Sequence, residues 1–599
     1  MAALQGLNPT WDLDAFFPGG SASPEFAAFL DQLEADIAGF RTAVSGSKVP
    51  TTLEEANDWS RLLVSMQDLA ARLRHSGAFI SCLNAQNVRD QQAKILGGRH
   101  GQISAAFASA CALLDAQVLA MDEAVFAALV AQPEWEPIAS VLSERRHRAR
   151  LRMNPEREAL AGDLAVDGYH GWGELYNTVV GRMRIPWEED GTTVYLSAGQ
   201  MANKLSDADP AVRAEAMRRW EEAWSKEAEL IASSLNHLAG YRINLYKHRG
   251  WKSILDEPLE NNRMTRQTLD VMWDVVERNK PIFVEFMKRK AQLLGVEKLG
   301  WQDVSAPVGG IARKVTYDEA ANFIVEHFSR FSPRMAAFAA QAFQNRWIEA
   351  EDRPGKRPGG FCTSFPIARS SRIFMTFAGT PGNIATLAHE LGHAWHQHVM
   401  NEMPQMAQGY AMNVAETAST FAEMIVADAA VKNAQNGAER LALIAEKAER
   451  GIAMFMNIHA RFIFECDFYE ERKQGMLSVE RLNALMTEAQ QKAYHNALGS
   501  WHPTFWASKL HFYATSQPFY NFPYTFGFLF SSGVYARALA EGPAFEQRYV
   551  ELLRDTGRMR VEELAKRHLG VDLTQPEFWQ SAVEITVADA KEFLRLTAK

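Results

Sequence analysis

The sequence predicts a mainly α-helical protein, and two observations support that prediction. Residues 27–40, 53–73 and 89–121 place apolar side chains three or four positions apart among Glu, Gln, Arg and Ala, which is the period of an amphipathic helix. Stretches that alternate as strands do are few. A chain of 599 residues is also too long for a single core, so we expect more than one folding unit.

Two short stretches break the helical pattern and predict strands. Residues 182–196 alternate, and Glu189-Asp190-Gly191 is typical of the turn of a hairpin. The second stretch is RIFMTF, residues 372–377. Residues 349–361 are polar and rich in Pro and Gly, so this part is either a disordered linker or an ordered loop that leads to the second strand.

A boundary is predicted near residues 197–210, where Gly, Asp and Pro occur before the helical pattern resumes at Ala211. We therefore divide the chain into an N-terminal helical region, residues 1–200, and a second region, residues 201–599.

Charge and cysteine content limit the classes of function. The formal net charge is −9, from 63 basic and 72 acidic residues, which argues against nucleic acid as a partner because phosphate binding needs a basic surface. Four scattered cysteines without a CxxC pair predict no disulfide framework and a reducing compartment. We recognise no signal peptide and no apolar run of membrane-spanning length, so we expect a cytoplasmic protein with no membrane partner.

The most informative segment is TLAHELGHAWHQHVM, residues 386–400. His389 and His393 are four positions apart, and because a helix has 3.6 residues per turn they share one face. Two imidazoles at this spacing can bind one Zn²⁺ with bonds of about 2.0–2.1 Å, and Glu390 can act on a water bound to that metal. Asn383 is predicted to cap this helix. Gly392 suggests that the space beside it is needed by backbone or substrate.

A catalytic zinc usually takes a third protein ligand. The metzincin pattern is excluded, because it needs Gly and His three and six positions after His393, where this chain has His396 and Val399. A glutamate on a second helix is the alternative. The candidates are Glu416 and, two turns further along the same helix face, Glu423.

Other roles are open to these side chains. Glu416 could instead complete a capping box with Asn413, and Glu423 could accept a hydrogen bond from a ligand imidazole. His396 and His398 are expected to be structural.

Peptide-bond chemistry at such a site also needs a group that stabilises an oxyanion. Zinc lowers the pKa of a water towards about 7 and polarises a carbonyl, Glu390 can carry the proton to a leaving amine, and a further donor must meet the oxyanion. His511, Tyr513, Tyr520 and Tyr524 lie in one strongly aromatic segment. Either they line a polar pocket or they belong to a packed aromatic core.

Four motifs together resemble one known family. GGFCTSFP at 359–366, IFMTF at 373–377, HELGHAWH at 389–396 and ETASTFAE at 416–423 resemble the oligoendopeptidase F branch of the thimet oligopeptidase family, and the likeness extends over nearly the whole chain. The resemblance implies two helical lobes that enclose a deep substrate channel, with a small β-sheet beside the zinc-binding helix. It also implies Glu416 as the third zinc ligand.

The same resemblance implies which groups complete the catalytic centre. Carried over by position, His511 and Tyr524 match the family's catalytic His and Tyr best, followed by Tyr520 and Tyr513. The strand at residues 372–377 would bind the substrate backbone as an added strand.

The predicted function is hydrolysis of internal peptide bonds in short oligopeptides, with one Zn²⁺ per chain and residues 201–599 as the catalytic domain. A zinc carboxypeptidase is an alternative, and it needs a cation for the substrate carboxylate, for which Arg369, Arg372 and Lys509 are candidates. A catalytically inactive peptide-binding protein is a further alternative. The sequence indicates no oligomeric state.

Overall fold

A computed structural model describes residues 3–309 and 314–598 of the chain. Helix makes up 71% of it, which confirms the mainly α prediction. Helices Pro24–Gly46 and Gln91–Ala120 correspond to the predicted stretches 27–40 and 89–121. The stretch 53–73 contains a break at Ser60, where one helix ends and another begins, and the second of these continues to Gln86.

The helices are numbered in chain order. They are α1 (Pro24–Gly46), α2 (Leu53–Trp59), α3 (Arg61–Gln86), α4 (Gln91–Ala120), α5 (Glu123–Val130), α6 (Ala139–Arg150), α7 (Pro155–Ala165), α8 (Gly171–Arg182), α9 (Ala198–Lys204), α10 (Pro210–Arg249), α11 (Asp256–Asn261), α12 (Arg266–Leu294), α13 (Tyr317–Phe331), α14 (Pro333–Gln344), α15 (Pro381–Met400), α16 (Met412–Ala415), α17 (Thr417–Lys432), α18 (Gly437–Ile452), α19 (Ile458–Arg472), α20 (Val479–Ala493), α21 (Phe505–Ser508), α22 (Phe522–Glu541), α23 (Glu546–Asp555), α24 (Val561–Leu569) and α25 (Pro576–Leu596).

The predicted hairpin is confirmed. Strands β1 (Ile185–Glu189) and β2 (Thr192–Leu196) pair antiparallel, with Glu189 opposite Thr192. Asp190 and Gly191 form the two-residue turn, and both have positive φ, 49° and 75°. Positive φ at both central residues is typical of a type I′ turn, whose twist matches that of the paired strands. Asp followed by Gly adopts this turn readily.

A second sheet contains strands β3 (Ile348–Glu349), β4 (Phe361–Phe365) and β5 (Ser370–Phe374) in the order β3-β5-β4. β5 lies in the middle, parallel to β3 and antiparallel to β4. The predicted strand at 372–377 is therefore present, displaced towards the N-terminus by two or three residues. α15 packs directly against β4 and β5, which confirms a small sheet beside the helix that carries the two histidines.

The chain forms two compact units, and each is built from three separate segments. The first contains Met1–Leu151, Ala312–Ala430 and Val534–Val571, and the second contains Arg152–Ile311, Val431–Gly533 and Asp572–Lys599. Both are helical, in agreement with the predicted lobes. The division of the sequence at residue 200 and the substrate channel stay predictions.

The core of the first unit joins its N-terminal helices to the second sheet. Phe26 of α1 and Phe79 of α3 are buried in the same apolar cluster as Phe365 and Phe374 of the sheet. Trp11 extends this cluster, because its ring lies 5.7 Å from the ring of Phe374. The N-terminal helices thus hold the sheet in place, although none of them carries a predicted site residue.

The Pro- and Gly-rich stretch 349–361 is an ordered loop, so the disordered-linker alternative is wrong. The backbone N–H of Val88 donates to the Gly355 carbonyl at 2.9 Å, and the N–H of Arg357 donates to the Ala85 carbonyl at 2.9 Å. Lys356 Nζ donates to the Met375 carbonyl at 2.8 Å. These bonds tie the loop to the end of α3 and to the sheet, and the loop leads directly into β4.

One helix, α4, is long and apolar enough to cross a membrane when judged by length and composition alone. By that measure the prediction that no apolar run approaches such a length is wrong for this helix. Ala93, Leu96 and Ile103 are buried, and the helix packs against α1 and α3 inside the first unit.

Candidate metal centre

The helix α15 begins one turn earlier than its predicted cap. Thr380 is the N-cap, and its Oγ1 accepts a hydrogen bond from the N–H of Asn383 at 3.2 Å. Asn383 Oδ1 in turn accepts from the N–H of Ala378 at 2.8 Å. The prediction of Asn383 as the cap is wrong because Pro381 fits the first helical position, where its missing N–H is not needed.

His389 and His393 lie on one face of α15, as their spacing requires. Their ring centroids are 4.9 Å apart. Glu416 Oε2 lies 3.2 Å from His389 Nε2 and 3.5 Å from His393 Nε2. Two ligands of a tetrahedral zinc with bonds of about 2.0–2.1 Å are separated by about 3.3 Å. The donor set and its spacing therefore fit Zn²⁺.

Glu416 reaches this position from the junction between α16 and α17. The helix α16 begins at Met412 with Ala411 as N-cap, so Asn413 lies inside the helix and the capping-box alternative is wrong. Ser419 Oγ donates to Glu416 Oε2 at 2.7 Å. Burial by itself raises the pKa of Glu416, but contacts with His389, His393 and Ser419 outweigh burial and hold that pKa at about 2.

Gly392 allows the two helices of the site to meet. A Cβ at this position would lie 2.5 Å from the Ala418 carbonyl oxygen and 2.5 Å from Ser419 Cα, both of them backbone atoms of α17. No larger residue fits without moving α17 away. This explains the glycine inside the motif in terms of backbone packing, one of the two reasons that the sequence suggested.

Both imidazoles have a partner besides Glu416. His389 Nδ1 lies 3.1 Å from Glu423 Oε2, and His393 hydrogen-bonds to the backbone of Ala415. A carboxylate on the far nitrogen of an imidazole fixes the tautomer and directs the other lone pair at a metal. Burial lowers the pKa of His393 to about 4, so its ring is neutral, as a metal ligand must be.

Glu390 is the buried carboxylate of the site. It is 6% exposed, and within the described part of the chain its Oε2 has no hydrogen-bond partner. Burial raises the pKa of Glu390 to about 7, Glu416 adds to the rise and His389 opposes it. A carboxylate whose pKa lies near neutrality can both accept and return a proton.

These residues face a cavity of about 420 Å³. Its walls come from α15, from residues 361–364 of β4 with the preceding Gly360, and from Arg74 and Tyr410. Arg74 Nη2 donates to Gln397 Oε1 at 3.1 Å, and among the residues described it has no acidic partner. The sequence predicted neither Arg74 nor Tyr410, because no local pattern links them to the motif and only tertiary packing brings them there.

The strand available to a substrate differs from the predicted one. β5 is paired on both sides, so it cannot accept an added strand, and the prediction for residues 372–377 is wrong. β4 is the outer strand, and it lines the cavity. Arg372 is not available to bind a substrate carboxylate, because its guanidinium donates to the carbonyl oxygens of Asp12 and Ser371.

His396 and His398 are structural. His396 is fully buried, its Nε2 lies 2.8 Å from Thr556 Oγ1, and its ring stacks on Tyr410 at 4.3 Å. The ring of His398 packs 4.7 Å from Phe338. Neither belongs to the group of three metal-binding side chains.

The second predicted cluster lies in the second unit and has two parts. The ring centroids of His511, Tyr520 and Tyr524 lie 5.3, 5.8 and 5.9 Å from one another, and all three side chains are partly exposed. Tyr513 is buried, stacks on Tyr176 at 3.7 Å, and donates to the Trp506 carbonyl. The segment therefore contains an accessible polar group and a packed core residue, so each alternative holds for part of it.

Burial, together with the positive charges of Arg461 and Lys509, lowers the pKa of His511 to about 4. The imidazole is thus neutral at pH 7. Its role next to the metal, and that of the tyrosines, stay predictions.

The chain matches the profiles of known protein families. The profile described as Peptidase family M3 matches residues 204–585, and the profile described as Oligopeptidase F matches residues 117–185. The chain is 22% identical over 603 residues to oligopeptidase PepF of Bacillus subtilis, covering 98% of this chain and 87% of that protein. It is 21% identical over 602 residues to an oligoendopeptidase F homolog of Lactococcus lactis, covering 98% and 97%.

Solved structures share the fold. A Chlamydophila abortus protein superposes with a TM-score of 0.81 at 18% identity and covers 99% of both chains. Oligoendopeptidase-F from Enterococcus faecium superposes with a TM-score of 0.71 at 18% identity, over 96% of this chain and 98% of that one.

Proposed function

This chain belongs to peptidase family M3 and is a metalloendopeptidase that cleaves oligopeptides, and on that premise we propose that it works with one Zn²⁺ held by His389, His393 and Glu416. The observation that supports this proposal is the meeting of three metal-binding side chains within 4.8 Å of one another, next to a buried glutamate. Bound there, zinc would supply Lewis acidity towards a water molecule and the substrate carbonyl.

Glu390 handles the proton in this proposal. Its carboxylate accepts a proton from the attacking water and returns it to the departing amine. The raised pKa of Glu390 and the lack of a partner on Oε2 support this role. A Cβ at Gly360 would lie 3.3 Å from Glu390 Oε1, so the glycine leaves room at the position where a scissile bond must approach the carboxylate.

The substrate backbone pairs with the outer edge of β4. An extended peptide can add to an exposed strand edge through main-chain hydrogen bonds. Phe361, Cys362, Thr363 and Ser364 line the cavity beside the metal ligands, whereas β5 is paired on both sides. In the second unit we assign His511 and Tyr524, with Tyr520, to the stabilisation of the oxyanion.

The carboxypeptidase alternative is supported by one observation: the guanidinium of Arg74 lines the cavity and has no acidic partner among the described residues. Arg372 is committed to backbone carbonyls, and Arg369 is exposed and does not line the cavity. A carboxylate held by Arg74 would place the last peptide bond of a substrate at the metal. Because the chain is a metalloendopeptidase, the inactive alternative is not retained, and carboxypeptidase cleavage would be a further activity of the same site.

The decisive experiment compares the native protein with Glu390→Gln on an internally quenched peptide of about eight residues. Both ends of the peptide are blocked, and the zinc content of each sample is measured. We expect one zinc per chain in both samples, and a rate at least about 10²-fold lower in the variant, as for the loss of a general base. Glu402→Gln, an exposed carboxylate just beyond the end of α15, is the matched control and should retain full activity.

Two outcomes would contradict the proposal. A variant that retains the native rate would remove Glu390 from the chemistry. A zinc-loaded native protein that cleaves the peptide only when its C-terminus is unblocked would favour the carboxypeptidase. In that case Arg74→Met should raise KM for the unblocked peptide.

A further inference from the structure

A second cavity, of about 650 Å³, lies entirely within the second unit. Its wall combines small and aliphatic residues with five aromatic side chains, Tyr176, Trp220, Trp224, Trp301 and Phe505. The rings of Trp220 and Trp224 meet edge to face at 5.4 Å, and those of Trp301 and Phe505 at 4.8 Å. Its volume and apolar lining are those of a site for a small ligand or for one end of a peptide.

One cation on this wall has no counter-ion. Lys509 lines the cavity, and its Nζ lies 4.8 Å from the centre of the Phe505 ring. Over residues 3–309 and 314–598, no carboxylate forms an ion pair with it. Arg461 lies over the same ring at 5.2 Å and donates to two asparagines, so it adds positive charge. An aromatic wall with one unbalanced ammonium group suits an apolar ligand that carries one negative charge.

The histidine of the cavity wall, His502, is hydrogen-bonded to the neighbouring Glu221 and carries no charge of its own. Trp220 Nε1 donates to His502 Nε2 at 3.1 Å, and because an indole N–H can only donate, that nitrogen must accept. The proton of His502 is therefore on Nδ1, where Glu221 accepts it. Thr504 Oγ1 also donates to Glu221, at 2.6 Å. Burial lowers the pKa of His502, so His502 is neutral and Glu221 is fully engaged.

We propose that this cavity binds the C-terminal residue of a peptide, with the α-carboxylate on Lys509 and a large apolar side chain against Trp220 and Trp301. A phosphate group would not use the aromatic wall, and a neutral ligand would leave the ammonium unbalanced. The proposal rests on the proposed function, because it takes the ligand to be a peptide.

The first test is calorimetric titration of the full-length Glu390→Gln protein, which holds a peptide without cutting it. The ligands are an N-acetylated tetrapeptide ending in Phe with a free carboxylate and the same peptide with a C-terminal amide. We expect the acid to bind about tenfold more tightly than the amide, as for one charge-assisted hydrogen bond. Adding Lys509→Met should reduce this ratio to about one, because the variant removes the charge and retains the apolar stem.

Lys226→Met is the matched control. Lys226 is exposed on α10, the helix that carries Trp220 and Trp224, and it does not line the cavity. This variant should retain the tenfold ratio. The proposal is overturned if the Glu390→Gln protein binds the acid and the amide equally well. It is also overturned if adding Lys509→Met leaves the acid-to-amide ratio of affinities unchanged.

Changing the ligand separates a peptide from a free aromatic acid. N-acetylphenylalanine offers the same carboxylate and ring without the preceding residues. We expect it to bind more weakly than the tetrapeptide, since a cavity of this volume accommodates more than one residue. Equal affinity for the two would show a site for small aromatic acids and overturn the peptide assignment. Replacing the terminal Phe with Ala should cost affinity in the parent protein and much less in Trp301→Leu.

The pH dependence gives a second, independent readout. Burial, and then the nearby charge of Arg461, lower the pKa of Lys509 to about 7. Affinity for the acid peptide should therefore be constant between about pH 5 and pH 6, where the peptide carboxylate is charged, and fall above pH 7 by at most the roughly tenfold difference between acid and amide, while affinity for the amide stays constant. Arg461 remains charged, His511 and His502 remain neutral, and Glu221 remains bound to His502, so Lys509 is the group that titrates in this window.

The proposal and the function on which it rests fail in different ways. If the native enzyme cleaves the blocked peptide but the acid and amide bind equally, the cavity assignment is wrong and the endopeptidase stands. If the acid binds preferentially through Lys509 but no peptide is cleaved, the cavity binds peptides and the zinc mechanism is wrong.

Discussion

The metal centre of the first unit and the His511 cluster of the second unit are built in different ways. His389, Glu390 and His393 share two turns of one helix, and Glu416 lies at the junction between α16 and α17. The second cluster takes His511 from a short turn and Tyr524 from the start of α22. Helix geometry aligns the two histidines and Glu390 of the first group, whereas the second group depends entirely on how loops and helices pack.

The difference shows in how each group is supported. Each metal-binding side chain has a partner that orients it, namely Glu423 for His389, Ala415 for His393 and Ser419 for Glu416. His511 Nδ1 is buried and has no partner in the described residues. A metal ligand is held in position before the metal binds, whereas a group that acts on a substrate needs a hydrogen-bonding atom that no protein group already uses. Four variants test this comparison.

The largest effect is expected for Glu416→Ala. The change removes one of three ligands and leaves two imidazoles that cannot hold zinc by themselves. Zinc affinity and activity should both fall more than about 100-fold, beyond the range for loss of a residue that only orients a ligand. Elemental analysis after dialysis measures the zinc. One zinc per chain in this variant would contradict the ligand assignment.

The second effect separates the two regions directly. His511→Gln should lower kcat about 10²- to 10³-fold, as for loss of an oxyanion donor, and leave the zinc content unchanged. Tyr513→Phe is the control, because its hydroxyl is used by the Trp506 carbonyl and only stability should suffer. Comparing Tyr524→Phe with Tyr520→Phe under the same assay shows which hydroxyl acts. A zinc-free His511→Gln protein would make the comparison between the two regions invalid.

A smaller effect is expected for Glu423→Gln, which retains the shape of the side chain that orients His389. Zinc affinity should fall about 10- to 100-fold, measured by competition with a chelator. Activity should return when zinc is added in excess, because the three ligands are intact. Loss of activity that excess zinc does not restore would assign Glu423 a direct part in the chemistry.

The smallest effect is expected for Gly392→Ala. Its methyl group would meet backbone atoms of α17 at 2.5 Å, so the helices must separate. We expect the free energy of unfolding to fall by about 1–3 kcal/mol, the usual cost of overpacking. Gly382→Ala in the same helix is the matched control, since its Cβ would have only Thr380 Oγ1 nearby, at 3.9 Å. Equal stability of the two variants, measured by denaturant titration, would show that the close approach is not needed.

Several helices and strands show how much of the local structure could be predicted from the sequence. The helix periods, the Asp190-Gly191 hairpin and the spacing of His389 and His393 are local patterns, and each is present in the structure. The N-cap of α15 was misplaced by three residues because Thr380 and Asn383 are both good capping residues and form one capping box. The sequence does not show which strand of the second sheet has a free edge, because pairing order is not encoded in the composition of a strand.

Residues that act across long sequence distances were not predictable. Arg74 reaches the metal cavity from α3, more than 300 residues before the histidines, and the Trp220 cavity joins α8, α10 and α21. A salt bridge or a lack of one cannot be seen in a sequence either. Only the structure distinguishes Lys509, which has no carboxylate partner among the described residues, from Arg372, whose guanidinium donates to backbone carbonyls.

From the sequence alone we could predict a mainly helical chain, and a helix that carries two imidazoles and a glutamate. It also limited the third metal ligand to two candidate glutamates. These follow from the fixed geometry of the helix, which converts spacing into direction. The tertiary structure decided that Glu416 meets both imidazoles, that β4 and not β5 is the open edge, and that Lys509 faces an aromatic cavity. Those outcomes depend on packing between distant segments, which no local period specifies.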